Sequence, residues 1–169
     1  MIEVVCVKVG DKYSDEYVIN LYAAVERHLS VPHRFSCITD KPVEGLDINW
    51  IKCPADLKGW WAKVYIFARN NGLKGTIFYL DLDQIIIGDL DKFIGLTWPG
   101  KIHMIHDFRR LFTPEWDHPN SSVMLFEKED FLDLWDNYND HAAAMFAEGG
   151  DQEYIYFHVK SKIGFWPWS

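Results

Sequence analysis

Two aspartates, Asp81 and Asp83, interrupt a long apolar run that starts at Thr76 and continues to Ile87. Residues i and i+2 of a β-strand point to the same face, so the two carboxylates are predicted to converge. Unpaired carboxylates in apolar surroundings are strongly unfavourable, which predicts a positive charge between them. Paired oxygen ligands suit Mg²⁺ or Mn²⁺, and such an ion commonly bridges to a diphosphate. The motif therefore indicates a metal site for phosphate chemistry.

The same motif also has a purely structural interpretation. An Asp-x-Asp sequence arises often by chance in a chain with 25 acidic residues among 169. One aspartate would then cap a turn while the other faces solvent. The position of the pair at the end of a continuous apolar run favours the metal site over this alternative.

Strand and helix patterns alternate along the chain and are separated by Gly, Pro and Asn. The predicted strands cover residues 2–9, 35–39, 48–51, 76–82, 101–105 and 122–126. The predicted helices cover residues 18–29, 60–71 and 131–145. This order predicts an α/β fold, a single domain over residues 1–169 with a mostly parallel central sheet and helices on both faces. Such sheets bind ligands at the carboxyl ends of their strands, where the two aspartates fall.

Composition excludes several classes of partner. A chain of 169 residues with 49% apolar content can bury one substantial core. Its 17 basic and 25 acidic residues give a net charge of −8, which opposes binding to nucleic acid or to an anionic membrane. No apolar stretch approaches the roughly 20 residues of a membrane span. We expect no nucleic acid partner and no membrane span.

The cysteines indicate a reducing compartment. Cys6, Cys37 and Cys53 are odd in number, widely spaced, and placed in or beside apolar strand-like runs. This pattern is typical of reduced, buried thiols and not of a disulfide framework or a Cys-x-x-Cys metal site. The first residues also lack the basic region of a secretory signal. The chain is expected to be cytoplasmic.

Five segments resemble, in order, the motifs of a known enzyme family. They are residues 7–10 with Tyr13, residues 59–63, residues 79–83, residues 120–124 and residues 150–152. In this order they are similar to the metal-dependent nucleotide-sugar glycosyltransferases of the GT-A fold, especially the retaining group that includes glycogenin and bacterial galactosyltransferases. The resemblance implies a Rossmann-like GT-A domain.

The resemblance also implies a reaction and its participants. By the resemblance, a UDP-sugar, UDP-glucose or UDP-galactose, would donate its sugar to an acceptor that the sequence does not specify. Mn²⁺ or Mg²⁺ would lie on the diphosphate, and the anomeric configuration would be retained. The residues expected to bind the donor are Val7, Val9, Tyr13, Lys63, Asp81, Leu82, Asp107, Asn120 and Ser121. The expected catalytic residues are Asp151 and Gln152, and the expected metal ligands are Asp81 and Asp83.

Two of these assignments have plain structural alternatives. Lys63 would add a positive contact to the nucleotide sugar, but a lysine on an amphipathic helix is often a solvated residue. Asp151 and Gln152 open a helix-like segment in which Asp is a common N-cap. By the resemblance, the same pair lies on the reacting face of the sugar.

Three residues near strand ends carry weaker signals. Asn120 offers a donor and acceptors to sugar hydroxyls, yet Asn beside Pro119 is also an ordinary turn residue. Asp107 follows a strand end and is preferred over the neighbouring arginines as a ligand of the sugar or acceptor, against the alternative of a solvated loop. Trp116, in the long segment of residues 107–120, is the favoured tryptophan for a sugar-stacking platform.

The last residues affect the expected metal site. Members of the family carry a C-terminal His-Gly segment whose histidine is a third metal ligand, and residues 164–169 look like a stretch that precedes it. His158 lies too close to Asp151 to correspond to that histidine. The ion is therefore expected to be held by Asp81, Asp83, the diphosphate and water, and to bind weakly until the nucleotide is present. A partner subunit, such as a second copy of the chain, is one way to complete the pocket.

Three alternatives to a transferase remain open at this stage. A haloacid-dehalogenase-type phosphohydrolase also places Asp-x-Asp after an apolar strand, but Ile85 follows the Asp81-to-Gln84 unit where that pattern has Thr or Val. A nucleotide-sugar binding protein with little transfer activity would share the same motifs. A plain structural α/β domain is the third alternative, and the motif order argues against it.

Overall fold

The computed structural model describes residues 1–96 and 98–167. Its seven strands are β1 Ile2–Lys8, β2 His33–Thr39, β3 Asn49–Lys52, β4 Thr76–Leu80, β5 Ile102–His106, β6 Pro119–Glu127 and β7 Ile163–Phe165. Its α-helices are α1 Asp15–His28, α2 Asp91–Ile94, α3 Asp133–Asp136, α4 Asp140–Met145 and α5 Gly150–Val159. Four 3₁₀ helices cover Gly59–Phe67, Phe108–Leu111, Lys128–Phe131 and Lys160–Lys162.

The strands that the structure describes form one sheet in the order β3-β2-β1-β4-β6-β5-β7. Strands β1 to β4 run parallel where they pair, β5 pairs with β7 in parallel, and β6 is antiparallel to both of its neighbours. The predicted α/β fold with a mostly parallel sheet is confirmed. The carboxyl ends of β1 and β4 therefore meet at one edge, as parallel pairing requires.

Both faces of the sheet carry a core. Along β1, Val5 belongs to one buried cluster while Val4 and Cys6 belong to the other, as the alternation of a strand requires. Helix α1 covers the second face with Val18, Leu21 and Val25. The first face is covered by the 3₁₀ helix Gly59–Phe67 together with α5 and neighbouring segments. Helices on both faces were predicted, and this is confirmed.

Residues 60–71 were predicted to form an α-helix, and that prediction is wrong. The segment is the 3₁₀ helix Gly59–Phe67, and Ala68 already has extended backbone. The Asn71 side chain explains the early end, because its Nδ2 donates to the carbonyl oxygens of Tyr65 and Ile66 at 2.6 and 3.1 Å. These bonds satisfy carbonyl groups that a helix end leaves without partners.

Residues 131–145 were predicted to form one amphipathic helix, and this is also wrong. The structure divides the region between the 3₁₀ helix Lys128–Phe131, α3 and α4. Asn139 causes the second break, since it has extended backbone and its side chain accepts a hydrogen bond from the Ala142 N–H at 3.0 Å. Asparagine is a strong N-cap and a poor residue for a helix interior, so a new helix starts after it.

The thiols are buried as expected. Cys6, Cys37 and Cys53 are free and buried. Burial raises the pKa of the Cys53 thiol to about 11, so this thiol is protonated and unreactive near neutral pH. Among the described residues, no helix combines the length and the apolar content that crossing a membrane requires.

Candidate active site

Asp81 and Asp83 lie in a turn that follows β4. The strand ends at Leu80, and the Asp81 carbonyl oxygen accepts a hydrogen bond from the Gln84 N–H at 3.2 Å. The prediction that strand geometry aims both carboxylates at one point is therefore wrong, because neither residue is in the strand. The turn still brings both aspartates to the walls of the same two cavities.

The positive charge next to this motif is Lys63. Its Nζ lies 3.1 Å from Asp81 Oδ1 and 2.9 Å from Asp151 Oδ2, so the ammonium bridges Asp81 and Asp151 and does not lie between Asp81 and Asp83. Lys63 is only 7% exposed and also donates to Ser121 Oγ at 3.1 Å. The solvated lysine that the sequence allowed as an alternative is not what the structure shows.

The electrostatics of this cluster keep the lysine charged. Burial by itself lowers the pKa of Lys63, but the carboxylates of Asp151 and Asp81 outweigh it and raise the pKa above its ordinary value. The Tyr79 hydroxyl donates a hydrogen bond to Asp81. Burial, reinforced by the negative charge of Asp81, raises the pKa of Tyr79 well above its ordinary value, so the phenol remains a donor.

Helix α5 is tied to β6 through its first residues. Ser121 Oγ donates to Asp151 Oδ2 at 3.0 Å, and the Ser121 N–H donates to Gln152 Oε1 at 3.2 Å. Asp151 is buried and pairs with Lys63, so its side chain serves the cluster instead of capping the helix. Gln152 Nε2 in turn donates to Asp107 Oδ2 at 3.1 Å.

A bulge explains why the start of β6 can reach this site. The pairing of β5 with β6 shifts between Met104 and Ile105, so that Met104 faces Met124 while Ile105 faces Asn120. Bulges re-aim the side chains around them. The Ser121 side chain consequently turns to Lys63 and Asp151.

The first cavity, of about 340 Å³, lies against the carboxyl ends of β1 and β4. Its lining combines apolar and aromatic residues with charged ones. The lining residues are Val7, Val9, Lys12, Tyr13, Gly59, Trp60, Lys63, Tyr79, Asp81, Leu82, Asp83 and Asp151. Tyr13 is held by a hydrogen bond from its hydroxyl to Asp83 Oδ2 at 2.9 Å. The cavity thus contains the residues that the sequence assigned to the first strand, the lysine and the Asp-x-Asp motif.

The second cavity, of about 580 Å³, shares its charged residues with the first. It is lined by Lys63, Asp81, Asp83, Gln84, Phe108, Asn120, Ser121, Ser122, Gly149, Asp151 and Gln152. Lys63 and the three aspartates are common to both cavities. A ligand that occupies both would therefore pass directly over the ion-paired cluster.

Two predicted residues have their polar groups engaged within the protein. Asp107 accepts hydrogen bonds from the Arg109 N–H at 2.8 Å and from Gln152 Nε2 at 3.1 Å, and it lines neither cavity. Asn120 lines the second cavity, but its Oδ1 accepts from the Ser122 N–H at 2.9 Å. Asp107 therefore positions Gln152, while the Asn120 amide nitrogen donates no hydrogen bond to the described part of the chain.

The tryptophan on the cavity wall is not the one that the sequence favoured. Trp116 stacks on His118 with 4.1 Å between ring centroids, lies under Arg109, and lines neither cavity. Trp60 lines the first cavity instead. Trp168 lies outside the described residues.

Sequence reasoning missed Lys12 and Phe108. Lys12 follows Gly10 and Asp11 in the turn after β1, and its Nζ lies 4.7 Å from the centroid of the Tyr13 ring. A basic residue in a turn at the carboxyl end of a strand was the available signal. Phe108 is 60% exposed on the rim of the second cavity, and nothing in its sequence surroundings distinguishes it from a core aromatic.

The donor set of Asp81 and Asp83 fits a divalent cation only in part. Each carboxylate has one oxygen engaged by a tyrosine hydroxyl, while its other oxygen accepts no hydrogen bond from the described residues. Carboxylate oxygens are the ligands that Mg²⁺ and Mn²⁺ prefer. No group of three or more His, Cys, Asp or Glu side chains within residues 1–96 and 98–167 is placed to hold a metal. Two protein ligands thus leave most of the coordination shell to other oxygens.

Gly150, the first residue of α5, has a backbone that requires glycine. Its φ is 64°, and a Cβ there would lie 3.1 Å from the indole Cε2 of Trp60. Replacing Gly150 with alanine is expected to lower the free energy of unfolding by about 1–2 kcal/mol, measured by urea denaturation, because a left-handed backbone disfavours a side chain. The alanine should also displace the Trp60 ring.

Gly45 provides the matched control. Its φ is 77°, and a Cβ there would meet nothing within 4 Å. Gly45→Ala should therefore show the loss of stability without a change in the near-ultraviolet circular dichroism of tryptophan. An unchanged tryptophan signal in Gly150→Ala as well would contradict the expected contact with Trp60.

Comparisons with known proteins give the fold. No protein-family model and no curated protein matches the sequence. Among solved structures, an active-site mutant of LgtC superposes with a TM-score of 0.68 at 15% identity, covering 96% of this chain and 72% of that chain. The glycosyltransferase GlyE of Streptococcus pneumoniae gives 0.68 at 14% identity, covering 98% of this chain and 45% of that chain. The bifunctional glycosyltransferase WbbM gives a TM-score of 0.67 at 10% identity, covering 98% of this chain and 38% of that chain.

These structures share an architecture with this chain. The chain has the GT-A fold, a Rossmann-like α/β domain, as the sequence predicted. Identities of 10–15% establish the fold alone. The chain spans less than half the length of GlyE and of WbbM.

Proposed function

We propose that this chain is a glycosyltransferase that takes a UDP-sugar, UDP-glucose or UDP-galactose, and transfers the sugar to an acceptor with retention of configuration. The observation that carries the proposal is the ion-paired cluster of buried Lys63, buried Asp151 and half-buried Asp81 at the junction of two cavities on a GT-A fold. LgtC, one of the structural neighbours, is a galactosyltransferase whose structure was solved with donor and acceptor sugar analogs.

The first cavity suits the nucleotide. Val7, Val9 and Tyr13 offer apolar and aromatic surface for a uracil ring. The ammonium of Lys63 lines the same cavity beside Asp81, where it would face the diphosphate. A planar base joined to an anionic diphosphate matches this combination of apolar and charged residues.

The local charge favours a cation together with the diphosphate. Three carboxylates, Asp81, Asp83 and Asp151, surround the junction, while Lys63 and Lys12 are the basic residues of the lining. Adding a diphosphate to this excess of negative charge is unfavourable unless a cation enters with it. Asp81 and Asp83 would hold Mn²⁺ or Mg²⁺ through their carboxylate oxygens. When bound, the ion neutralises negative charge on the departing UDP.

Lys63 would stabilise the leaving group without any proton transfer. Its ammonium is charged and is fixed by two carboxylates and Ser121 Oγ, so it needs no reorganisation as negative charge grows on the phosphate. The Tyr79 hydroxyl donates to the same oxygen of Asp81 that pairs with Lys63 and so helps to hold this carboxylate in place.

Asp151 would act on the sugar. A glycosyl group develops positive charge as its bond to the leaving group breaks, and a nearby carboxylate stabilises that charge. Asp151 lines both cavities and is oriented by Ser121, while Gln152 lines the second cavity and is oriented by Ser121 and Asp107. The second cavity is therefore the place where the donor sugar and the acceptor hydroxyl would meet.

Incubation with UDP-glucose or UDP-galactose and Mn²⁺ tests the proposal. Release of UDP, with or without an added acceptor, is the expected result, because water can replace the acceptor in an open site. Binding without release of UDP would instead show a nucleotide-sugar binding protein. Release of phosphate from a generic phosphoester would show a phosphohydrolase, and either outcome would overturn the transferase assignment.

Binding of UDP is expected to depend strongly on a divalent cation. Removing the cation with a chelator should weaken UDP binding at least tenfold, about 1.4 kcal/mol, in a calorimetric titration. Asp83→Ala should abolish this metal-dependent part, because it removes one of two ligands. Asp47→Ala, at an exposed position outside both cavities, is the control and should bind UDP as the unmodified chain does. A UDP affinity that a chelator leaves unchanged would refute the metal assignment.

Metal and UDP should also bind with positive coupling. With two protein ligands the ion gains most of its oxygens from the diphosphate and water, so Mn²⁺ alone should bind weakly. By linkage, UDP must raise the affinity for Mn²⁺ by the same factor by which Mn²⁺ raises the affinity for UDP. Tight Mn²⁺ binding to the protein without nucleotide would contradict this site.

We assign the chain to the cytoplasm because three buried, free thiols are typical of proteins in a reducing compartment. Association with a second copy stays a prediction from the sequence.

A further inference from the structure

Trp60 is an exposed tryptophan on the wall of the first cavity. It is 56% exposed, although large aromatic side chains are usually well covered in folded proteins. Tryptophan left exposed in a cavity next to charged groups is typical of a ligand-binding surface. The role assigned to Trp60 below rests on the proposed function.

The 3₁₀ helix fixes where the indole lies. A 3₁₀ helix has three residues per turn, so the side chains of Trp60 and Lys63 are eclipsed on one face. Lys63 is anchored to Asp81 and Asp151 at 3.1 and 2.9 Å, which fixes the rotation of that face toward the cavity. These ion pairs therefore fix the backbone position from which the Trp60 side chain extends.

The back of the indole is supported by the start of α5. A Cβ on Gly150 would come within 3.1 Å of both Cε2 and Nε1 of Trp60, so the ring lies directly against this glycine. The contact leaves the other side of the ring available to the cavity that Trp60 lines. The ring is thus positioned before any ligand arrives.

Tyr13, in the turn after the first strand, is another aromatic residue of the same cavity. Its hydroxyl is fixed on Asp83 at 2.9 Å, and its ring packs edge to face on Tyr17 with 4.8 Å between centroids. Val7, Val9 and Leu82 complete an apolar lining. The cavity thus offers two aromatic rings held in place by the protein, apolar side chains and charged residues. This combination suits a planar heterocycle linked to phosphate.

We propose that Trp60 stacks on the nucleobase of the donor and, with Tyr13, forms the base-binding part of the first cavity. Trp60 shares the first cavity with Val7, Val9 and Tyr13 and does not line the second, so we place it with the nucleotide although its ring also contacts Gly150, next to Asp151. Stacking on an aromatic ring strengthens nucleotide binding by about ten- to a hundredfold per base. Because stacking uses the face of the base, Trp60 contributes affinity and leaves selection of uracil to other groups.

Tryptophan fluorescence during titration with UDP and Mn²⁺ tests this role. A base stacked on indole quenches its emission, so the unmodified chain should show saturable quenching. Trp60→Phe should bind UDP within a few-fold of the unmodified affinity but lose most of the quenching. Trp60→Ala should bind UDP about tenfold or more weakly by calorimetry.

Trp98→Phe is the matched control. The exposed fraction of Trp98, 59%, is similar to the 56% of Trp60, and Trp98 lines neither cavity. This variant should keep both the affinity and the quenching. Quenching that survives in Trp60→Phe and disappears in Trp98→Phe would overturn the assignment.

A comparison of UDP with UDP-glucose distinguishes contact of Trp60 with the base from contact with the sugar. Trp60→Ala should weaken UDP and UDP-glucose by the same factor, since both carry the same base. A loss confined to UDP-glucose would place the indole on the sugar and overturn base stacking. Absence of UDP binding to the unmodified chain would instead overturn the proposed function itself, and with it this role of Trp60.

Discussion

Lys63→Met is expected to lower the free energy of unfolding by about 3–5 kcal/mol, because it leaves the buried carboxylate of Asp151 and the half-buried carboxylate of Asp81 without their counter-charge. Lys63 is buried, and its ammonium lies within 3.1 Å of Asp81 and 2.9 Å of Asp151. Methionine keeps the length and apolar stem of lysine, so the loss reports the charge. Urea denaturation followed by circular dichroism measures it.

Lys128 offers a matched control for this substitution. It is as deeply buried as Lys63, but its Nζ donates to neutral acceptors, Asn71 Oδ1 and the Leu73 carbonyl, at 2.6 and 2.9 Å. Burial lowers the pKa of Lys128, so its charge is less strongly held than that of Lys63. Lys128→Met should therefore cost less than Lys63→Met.

A second substitution isolates the electrostatic part. Adding Asp151→Asn to Lys63→Met removes one of the unpaired carboxylates and should restore part of the lost stability. A double variant that is less stable than Lys63→Met by the full effect of Asp151→Asn alone would show that the two side chains do not interact. Equal stability of Lys63→Met and the unmodified chain would show that the ion pairs contribute nothing net.

The fold could be predicted from the sequence because its main determinants are local. Continuous apolar strands such as β4 and the amphipathic face of α1 are visible in the order of residue types. Parallel strands joined by helices then place the end of β4 at the ligand-binding edge. The two helix predictions, over residues 60–71 and 131–145, were wrong because a single side chain can override hydrophobic periodicity. Asn71 and Asn139 do so by hydrogen bonding to the backbone.

The candidate site was harder to predict because its residues meet only in three dimensions. Asp81 was identified as needing a positive partner, but that partner, Lys63, lies in the 3₁₀ helix Gly59–Phe67 and meets Asp81 only in the folded structure. Similarly, Trp60 and Trp116 are indistinguishable in sequence, and only their packing decides which one faces a cavity. Burial and exposure of individual aromatics are properties of the whole fold.

Asp151→Asn is expected to lower the turnover of the donor about a hundredfold, about 2.7 kcal/mol in the barrier, while UDP binding stays nearly unchanged. Asparagine has the shape of aspartate and can still accept the hydrogen bond from Ser121 Oγ, so the position of α5 is kept. What disappears is the negative charge that would stabilise the developing positive charge of the sugar. The charge of Lys63 remains paired with Asp81.

Two controls separate this catalytic role of Asp151 from a structural one. Asp140→Asn removes one exposed carboxylate outside both cavities and should leave turnover unchanged. Urea denaturation of Asp151→Asn measures the loss of its pairing with Lys63 independently of activity. If turnover fell only in proportion to the unfolded fraction, Asp151 would be a structural partner of Lys63. If turnover fell in a fully folded variant that binds UDP normally, the carboxylate acts on the reacting sugar, since the nucleotide does not require it.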